Sequence, residues 1–169
     1  MKKQYLLILL FVMHSVFASQ IILKPQDYVQ QAFNGSPPAV KSLWLIGAIK
    51  TDIKKILGHD YHKLRLKYWQ KEDETLWILD EIGKEKYITT GISVVAGKIV
   101  DLSVLVFRES RGWEVKYDFF TQQFNGVAQQ PNTQLDQHID AITGATLSVN
   151  ALRKQARMAL YLDDKVQAK

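Results

Sequence analysis

The period of apolar and polar residues along the chain changes several times, and each change marks a boundary. Residues 63–69 set Leu64, Leu66 and Tyr68 against Lys63, Arg65 and Lys67, the period-two pattern of a half-buried strand. A polar turn at 71–74 and a return strand at 76–79 follow. The clearest signal is a hairpin. Residues 87–95 and 99–107 are rich in β-branched and aromatic side chains and are separated by Ala96-Gly97-Lys98. In its second strand Val100, Leu102, Val104 and Val106 alternate with Asp101, Ser103, Leu105 and Phe107. One face is therefore apolar throughout, and the other becomes so towards the strand's end.

Helical spacing appears in four places. Residues 25–33 read as a short helix stopped by Asn34-Gly35, after which Ser36-Pro37-Pro38 forces an extended break. Residues 51–57 read as a second, with Thr51 as N-cap and Gly58 past its end. Residues 115–124 carry apolar side chains at 115, 119, 120 and 124 and end at Gly126. A polar loop at 129–134 separates them from the last helix, 145–162. That helix aligns Leu147, Ala151, Leu152, Ala156, Ala159 and Leu160 along one stripe. The sum is a single α+β domain, an antiparallel sheet with packed helices, free of internal repeats.

The N-terminus reads differently. Met1-Lys2-Lys3, an apolar run over 5–13 and Val16-Phe17-Ala18 before Ser19 form the pattern of a secretory leader. His14 and Ser15 interrupt the run well short of the roughly 20 apolar residues a membrane-spanning helix needs. Cleavage near Ala18 is expected, giving an exported, periplasmic protein with no transmembrane segment, open to membrane association through a partner. The chain then divides into a leader (1–18), an unassigned N-terminal part (19–86), a core (87–162) and a polar tail (163–169).

Composition narrows the chemistry. The 22 Lys+Arg and 17 Asp+Glu leave +5, and loss of Lys2 and Lys3 would take two from that to leave +3. A surplus that small, spread along the chain, argues against a nucleic-acid partner. With no cysteine, there is no disulfide scaffold, thiolate zinc, iron–sulfur cluster, thioether-linked haem, cysteine nucleophile or lipidated cysteine. Redox chemistry here needs a borrowed cofactor.

One segment, Asp140-Ala141-Ile142-Thr143-Gly144-Ala145-Thr146, stands directly before the last helix. Gly144 permits a tight turn, and the free N–H groups of a first helical turn with the positive end of its dipole form an anion site. Hydroxyls at Thr143, Thr146 and Ser148 surround that start, so a phosphate bound or attached there fits the local chemistry. Thr143 could also be a plain N-cap and Thr146 a surface hydroxyl. The whole pattern of an acid, two free positions, a hydroxyl residue, Gly, Ala and a hydroxyl residue is far more restrictive than T-G-A-T alone.

On these residues the chain resembles the FMN-binding domains flavinylated on threonine. The family includes the C subunit of the sodium-translocating NADH:quinone reductase and the G subunit of the Rnf complex. Its motif, D-x-x-[ST]-G-A-[ST], falls on Asp140, Thr143, Gly144, Ala145 and Thr146. The resemblance implies an FMN-binding-domain-like fold with FMN on Thr146 through a phosphoester bond. It also implies that a separate magnesium-dependent flavin transferase attaches the FMN, with FAD as donor and AMP released. Asp140 would then be read by the transferase or help activate the hydroxyl. Upstream, Gly91-Ile92-Ser93, Glu109-Ser110-Arg111-Gly112 and Phe124-Asn125-Gly126 are similar to the family's hairpin, E-[ST]-x-G turn and F-x-G helix end. Arg111 stands where proline is usual, and the named subunits keep a membrane helix where this chain has a leader.

A flavin ring needs an apolar or aromatic wall and polar groups at its edge. Trp113, Tyr87 and the turn with Ser110 and Gly112 are candidates, and Arg108 is one for the N1 or O2 edge. His59-Asp60-Tyr61-His62 spaces possible metal ligands without a clear third partner, and no metal site is assigned. His138 could neighbour the phosphate, and Lys63, Arg65 and Lys67 could dock an acidic redox partner. The expected function is an exported electron-transfer flavoprotein relaying electrons from a membrane-bound reductase to another acceptor. Such a protein is a carrier or a subunit of an oxidoreductase system rather than an independent enzyme, with no catalytic residues of its own. Alternatives are a non-covalent FMN-binding module, a flavin-dependent reductase with its own small-molecule substrate, and a scaffold without cofactor.

Overall fold

The predicted hairpin forms, and the rest of the sheet is built outward from it. The computed structural model describes residues 19–168, so the predicted leader and its cleavage site at Ala18 lie outside the described residues. In chain order the strands are β1 (Gln20–Ile21), β2 (Lys41–Trp44), β3 (Arg65–Lys71), β4 (Glu74–Ile82), β5 (Tyr87–Val95) and β6 (Lys98–Phe107). The helices are α1 (Pro25–Ala32), α2 (Gly47–Leu57), α3 (Asp118–Thr121) and α4 (Thr146–Gln167). The strands make one antiparallel sheet in the order β1-β6-β5-β4-β3-β2. β4 and β5 pair along their whole length, from Glu74 opposite Val95 to Ile82 opposite Tyr87.

Both faces of the central strands are covered, and this explains why β5 is almost wholly buried rather than alternating. On one face α4 packs over Trp77, Leu79, Ile88 and Ile92, with α2 beside it. On the other, α1 lays Tyr28, Val29 and Phe33 over Leu76, Leu105 and Val106. The Tyr28 ring lies against Gly91 so closely that a Cβ there would meet its Cε1 at 2.2 Å. Its hydroxyl donates to Asp101 Oδ2 at 2.7 Å. Burial, reinforced by Asp101, pushes that phenol well above its ordinary range.

Polar anchors fix α4 along the sheet. The buried Gln155 amide donates to the carbonyls of Leu79 on β4 (3.1 Å) and Ile88 on β5 (2.9 Å). Higher up, Thr75 accepts from Trp77 Nε1 (3.0 Å) and donates to Asp163 Oδ1 (2.7 Å). Burial raises the Asp163 carboxyl despite that bond. One end of the sheet thus gathers the end of β2 at Trp44, the start of β3, the β4–β5 turn, the end of β6 and the first turn of α4.

Several sequence expectations need correction. β1 and β2 lie where no strand is predicted. α2 begins at Gly47 with Ile46 at its N-cap, and Thr51, the predicted cap, sits inside it and donates back to the Gly47 carbonyl at 3.3 Å. The predicted helix over 115–124 breaks because Tyr117 is extended (ψ 151°). It becomes 3-10 turns at Trp113–Lys116 and Gln122–Phe124 around α3, which leaves Phe119 63 % exposed. α4 continues through 163–167, the segment read as a tail, and buries Val166.

Gly91→Ala is expected to lower the unfolding free energy by about 1–3 kcal/mol, because the new methyl must displace the Tyr28 ring. A urea titration checks this, with an unchanged midpoint as the contrary result.

Candidate functional site

Helix α4 starts without a side-chain cap. Its N-cap is Ala145, which has no side-chain acceptor, and no residue supplies one. The first intrahelical bond is Val149 N–H to the Ala145 carbonyl (2.9 Å). The N–H groups of Thr146, Leu147 and Ser148 precede it and have no intrahelical acceptor. Gly144 turns the chain into the helix at φ 82°, with Ala145 N–H donating to Ile142 O at 3.0 Å. Thr143, Gly144 and Thr146 are exposed, and Ala145 and Ser148 are buried. The T-G-A-T run is therefore an open helix start, and Thr143 is not its N-cap.

Two turns hold this start in place. Gly112 (φ 76°) backs onto it so tightly that a Cβ would meet Ser148 Oγ at 2.6 Å and Ala145 Cα at 3.4 Å. Only glycine satisfies both the backbone angle and the gap. Glu109 ties the same segment to the β4–β5 turn, its Oε1 accepting from the N–H groups of Lys84 (2.5 Å), Glu85 (2.7 Å) and Lys86 (2.9 Å). Such a nest of backbone donors is a natural carboxylate site. Glu109 is thereby a structural residue, and Ser110 and Arg111 are left exposed beside it.

A groove of about 400 Å³ opens beside the first turns of α4. Ile82 and Gly83 line one side, Leu135 and Ile139 another, and Leu147, Asn150, Ala151 and Lys154 form the helix wall. Leu147 is half exposed here rather than part of the buried stripe predicted for it. Arg153 and Arg157 reach across to the carbonyls of Ile139 and Thr133, so they fasten the loop that closes the groove. A larger depression of about 940 Å³, with Asp52, Asp73 and Asp164 on its walls, lies at the other end of α4. The helical rise puts it about 25 Å from Thr146.

Residues 83–161 match the family model of the FMN-binding domain. This segment is an FMN-binding domain. The flavin-binding role follows, and the antiparallel sheet with its packed helices is the fold that carries it. No curated protein and no solved structure matches the chain.

Within the FMN-binding domain the sequence-predicted residues fall into two groups. Thr143, Gly144, Ala145, Thr146 and Gly112 converge at the helix start, and Trp113 follows Gly112 directly. Trp113 is 46 % exposed and stands edge-on to Tyr117 with Lys116 over its face; it does not line the groove. Asp140 projects into solvent, 3.7 Å from His138 Nε2. Tyr87 packs on His62, and Arg108 donates to Tyr87 O (3.0 Å) and Thr89 Oγ1 (2.9 Å). Ile82, Leu147, Asn150 and Lys154 went unread as groove residues. Their sequence signal is the i, i+3, i+4, i+7 series Leu147-Asn150-Ala151-Lys154.

Lys154 also leads to a buried carboxyl. Glu81 is 1 % exposed, and its Oε1 accepts from Lys154 Nζ (3.2 Å) and His59 Nε2 (2.9 Å), while Oε2 is buried without a partner. Among the described residues no group of three or more His, Cys, Asp or Glu is placed to hold a metal, and His59 faces Glu81. His59 Nδ1 meets the Asp60 carbonyl at 3.0 Å, and Asp60 O and Glu81 together favour a proton on each ring nitrogen. They raise the His59 pKa, whereas burial and then Lys63 lower that of His62.

Gly112→Ala is expected to cost about 1–3 kcal/mol of stability from overpacking at a positive φ. Adding Ser148→Ala should recover part of that loss in a double-mutant cycle; strict additivity of the two would contradict the contact. NMR titration is expected to place His59 above, and His62 below, the ordinary value near 6.5. Because the folded value is raised, the His59 contribution to stability is complete below about pH 6.5 and disappears as pH rises through the folded value.

Proposed function

We propose that the domain carries FMN covalently on Thr146 and serves as an exported electron carrier. What supports this most is the Thr143-Gly144-Ala145-Thr146 run at the start of α4, where Ala145 provides no side-chain cap. Three N–H donors and the positive end of a 22-residue helix suit a phosphodiester, which keeps one negative charge. The groove beside Leu147 has the size of a small-ligand pocket, with apolar side chains at Ile82, Leu147 and Ile139 and polar ones at Gln137, His138 and the Glu81-paired Lys154. FMN, when bound, supplies reversible electron transfer.

The chain's residues do the rest. Thr146 offers its hydroxyl oxygen to the FMN phosphorus of FAD, losing its proton as AMP departs, with magnesium and a flavin transferase supplying the activation. Asp140 is solvent-facing five residues from the α4 N-cap and is open to recognition by that enzyme. Gly112 and Glu109 hold the helix start and the β4–β5 turn together, which fixes the mouth of the groove. Ile82 and Leu147 would shield a bound ring from water, and the Lys154–Glu81 pair would supply polar groups on the groove wall. A membrane-bound reductase as donor and a second redox protein as acceptor complete the relay.

Intact-protein mass after co-expression with a flavin transferase is expected to rise by one FMN less one water. Thr146→Ala abolishes the increase and Thr143→Ala retains it. Unmodified wild type under those conditions overturns the covalent reading. Flavin released on denaturation replaces it with a non-covalent module, and steady turnover of an organic acceptor replaces the carrier with a reductase.

A further inference from the structure

The charge surplus is not spread along the chain. Residues 41–71 hold eight Lys+Arg against Asp52 and Asp60, a surplus of six where the whole chain has five. This segment forms β2, α2 and β3, the far edge of the sheet. At that edge three large apolar side chains stand in water: Trp44 is 55 % exposed, Ile46 65 % and Leu64 67 %. They sit where β2 ends and β3 begins, with Leu45 N–H bonded to Leu64 O at 2.9 Å and Arg65 stacked over Trp44 at 5.4 Å. Alongside runs an open groove of about 330 Å³ whose floor includes Trp69 and Ile78 and whose walls carry Lys63, Arg65 and Lys67. Lys63 is paired with Asp80; among the described residues Lys50, Arg65 and Lys67 have no carboxylate within salt-bridge range.

We propose that this edge is a docking face for an anionic lipid bilayer. Projecting Trp, Ile and Leu side chains ringed by cations match an interface in which apolar groups enter the acyl boundary and Lys and Arg meet phosphates. Trp44 and Ile46 project at strand ends, and Leu64 borders a recess of only about 40 Å³, too small to seat a side chain. That shape inserts between lipids and offers no socket for a partner's side chain. Of the carboxylates at the Trp44 end, Asp80 pairs with Lys63, Glu81 with Lys154 and Glu85 with Lys84, and Glu109 accepts from backbone N–H groups, while Glu72, Asp73 and Asp164 lie towards the opposite end. Trp44 and Arg65 share the end of the sheet that carries Thr146. Docking there turns the helix start and its groove towards the membrane. None of the flavin-site residues belongs to this face, so lipid docking is independent of attachment at Thr146.

The test is co-sedimentation of purified Ser19–Lys169, which retains every strand and helix described, with vesicles at low ionic strength. Binding is expected to phosphatidylcholine vesicles containing phosphatidylglycerol and not to phosphatidylcholine alone. Arg65→Gln with Lys67→Gln should weaken it about thirtyfold, roughly fivefold for each cation lost near the surface. The triple variant Trp44→Ser, Ile46→Ser and Leu64→Ser should weaken it further, with an unchanged thermal transition. Wild type that ignores both vesicle types, or variants that bind as well as wild type, overturn the proposal. Self-association through these three side chains in place of lipid binding also overturns it, by making a second copy the occupant.

Discussion

Everything at the candidate site depends on where α4 sits along the sheet. Thirteen of its residues are buried, yet apolar packing alone would let a helix slide by a turn. Gln155 prevents this by donating from one amide to two strands, Leu79 on β4 and Ile88 on β5. Breaking such a buried bond strands polar groups in a dry core, which costs more than the bond itself contributes. With Gln155 fixed, the first turn of α4 arrives against Gly112, and the last turns meet Thr75 through Asp163.

That placement gives the two ends of α4 different characters. The first turn is uncapped, exposed at Thr146 and Leu147 and next to a groove of mixed polar and apolar lining, while the far end lies beside Asp52, Asp73 and Asp164. The domain thus separates the work of holding the fold from the work of holding a flavin. Buried residues from Ala151 onward do the first; on the proposed reading, a few glycines, backbone donors and exposed hydroxyls would do the second.

Much of this was legible in the sequence where a local rule was also the rule obeyed in three dimensions. The hairpin, the α4 stripe beyond Leu147 and the glycine stops are cases, because alternation and turn chemistry act over a few residues. β2 was unreadable because only four residues form it and its outward side chains include Trp44 and Lys41, which carry no clean alternation. The break at Tyr117 was hidden because Val115, Phe120 and Phe124 keep helical spacing on either side of it. The motif at 140–146 was visible as chemistry, but the Gly112 contact that makes it a place was not. Nor was the Glu81–His59 pair, which joins residues 22 apart through burial rather than pattern.

The FMN-binding family match begins at residue 83, inside the turn whose amides grip Glu109. Everything before that turn falls outside the family's boundary, yet β4 contributes Trp77 and Leu79 to the same core as α4. α1 seals the opposite face over Gly91. The segment that matches the family and the packed core are therefore different lengths of chain. A segment cut at the family boundary would lose one neighbour of β5, half the carbonyls that anchor Gln155 and the lid on its second face.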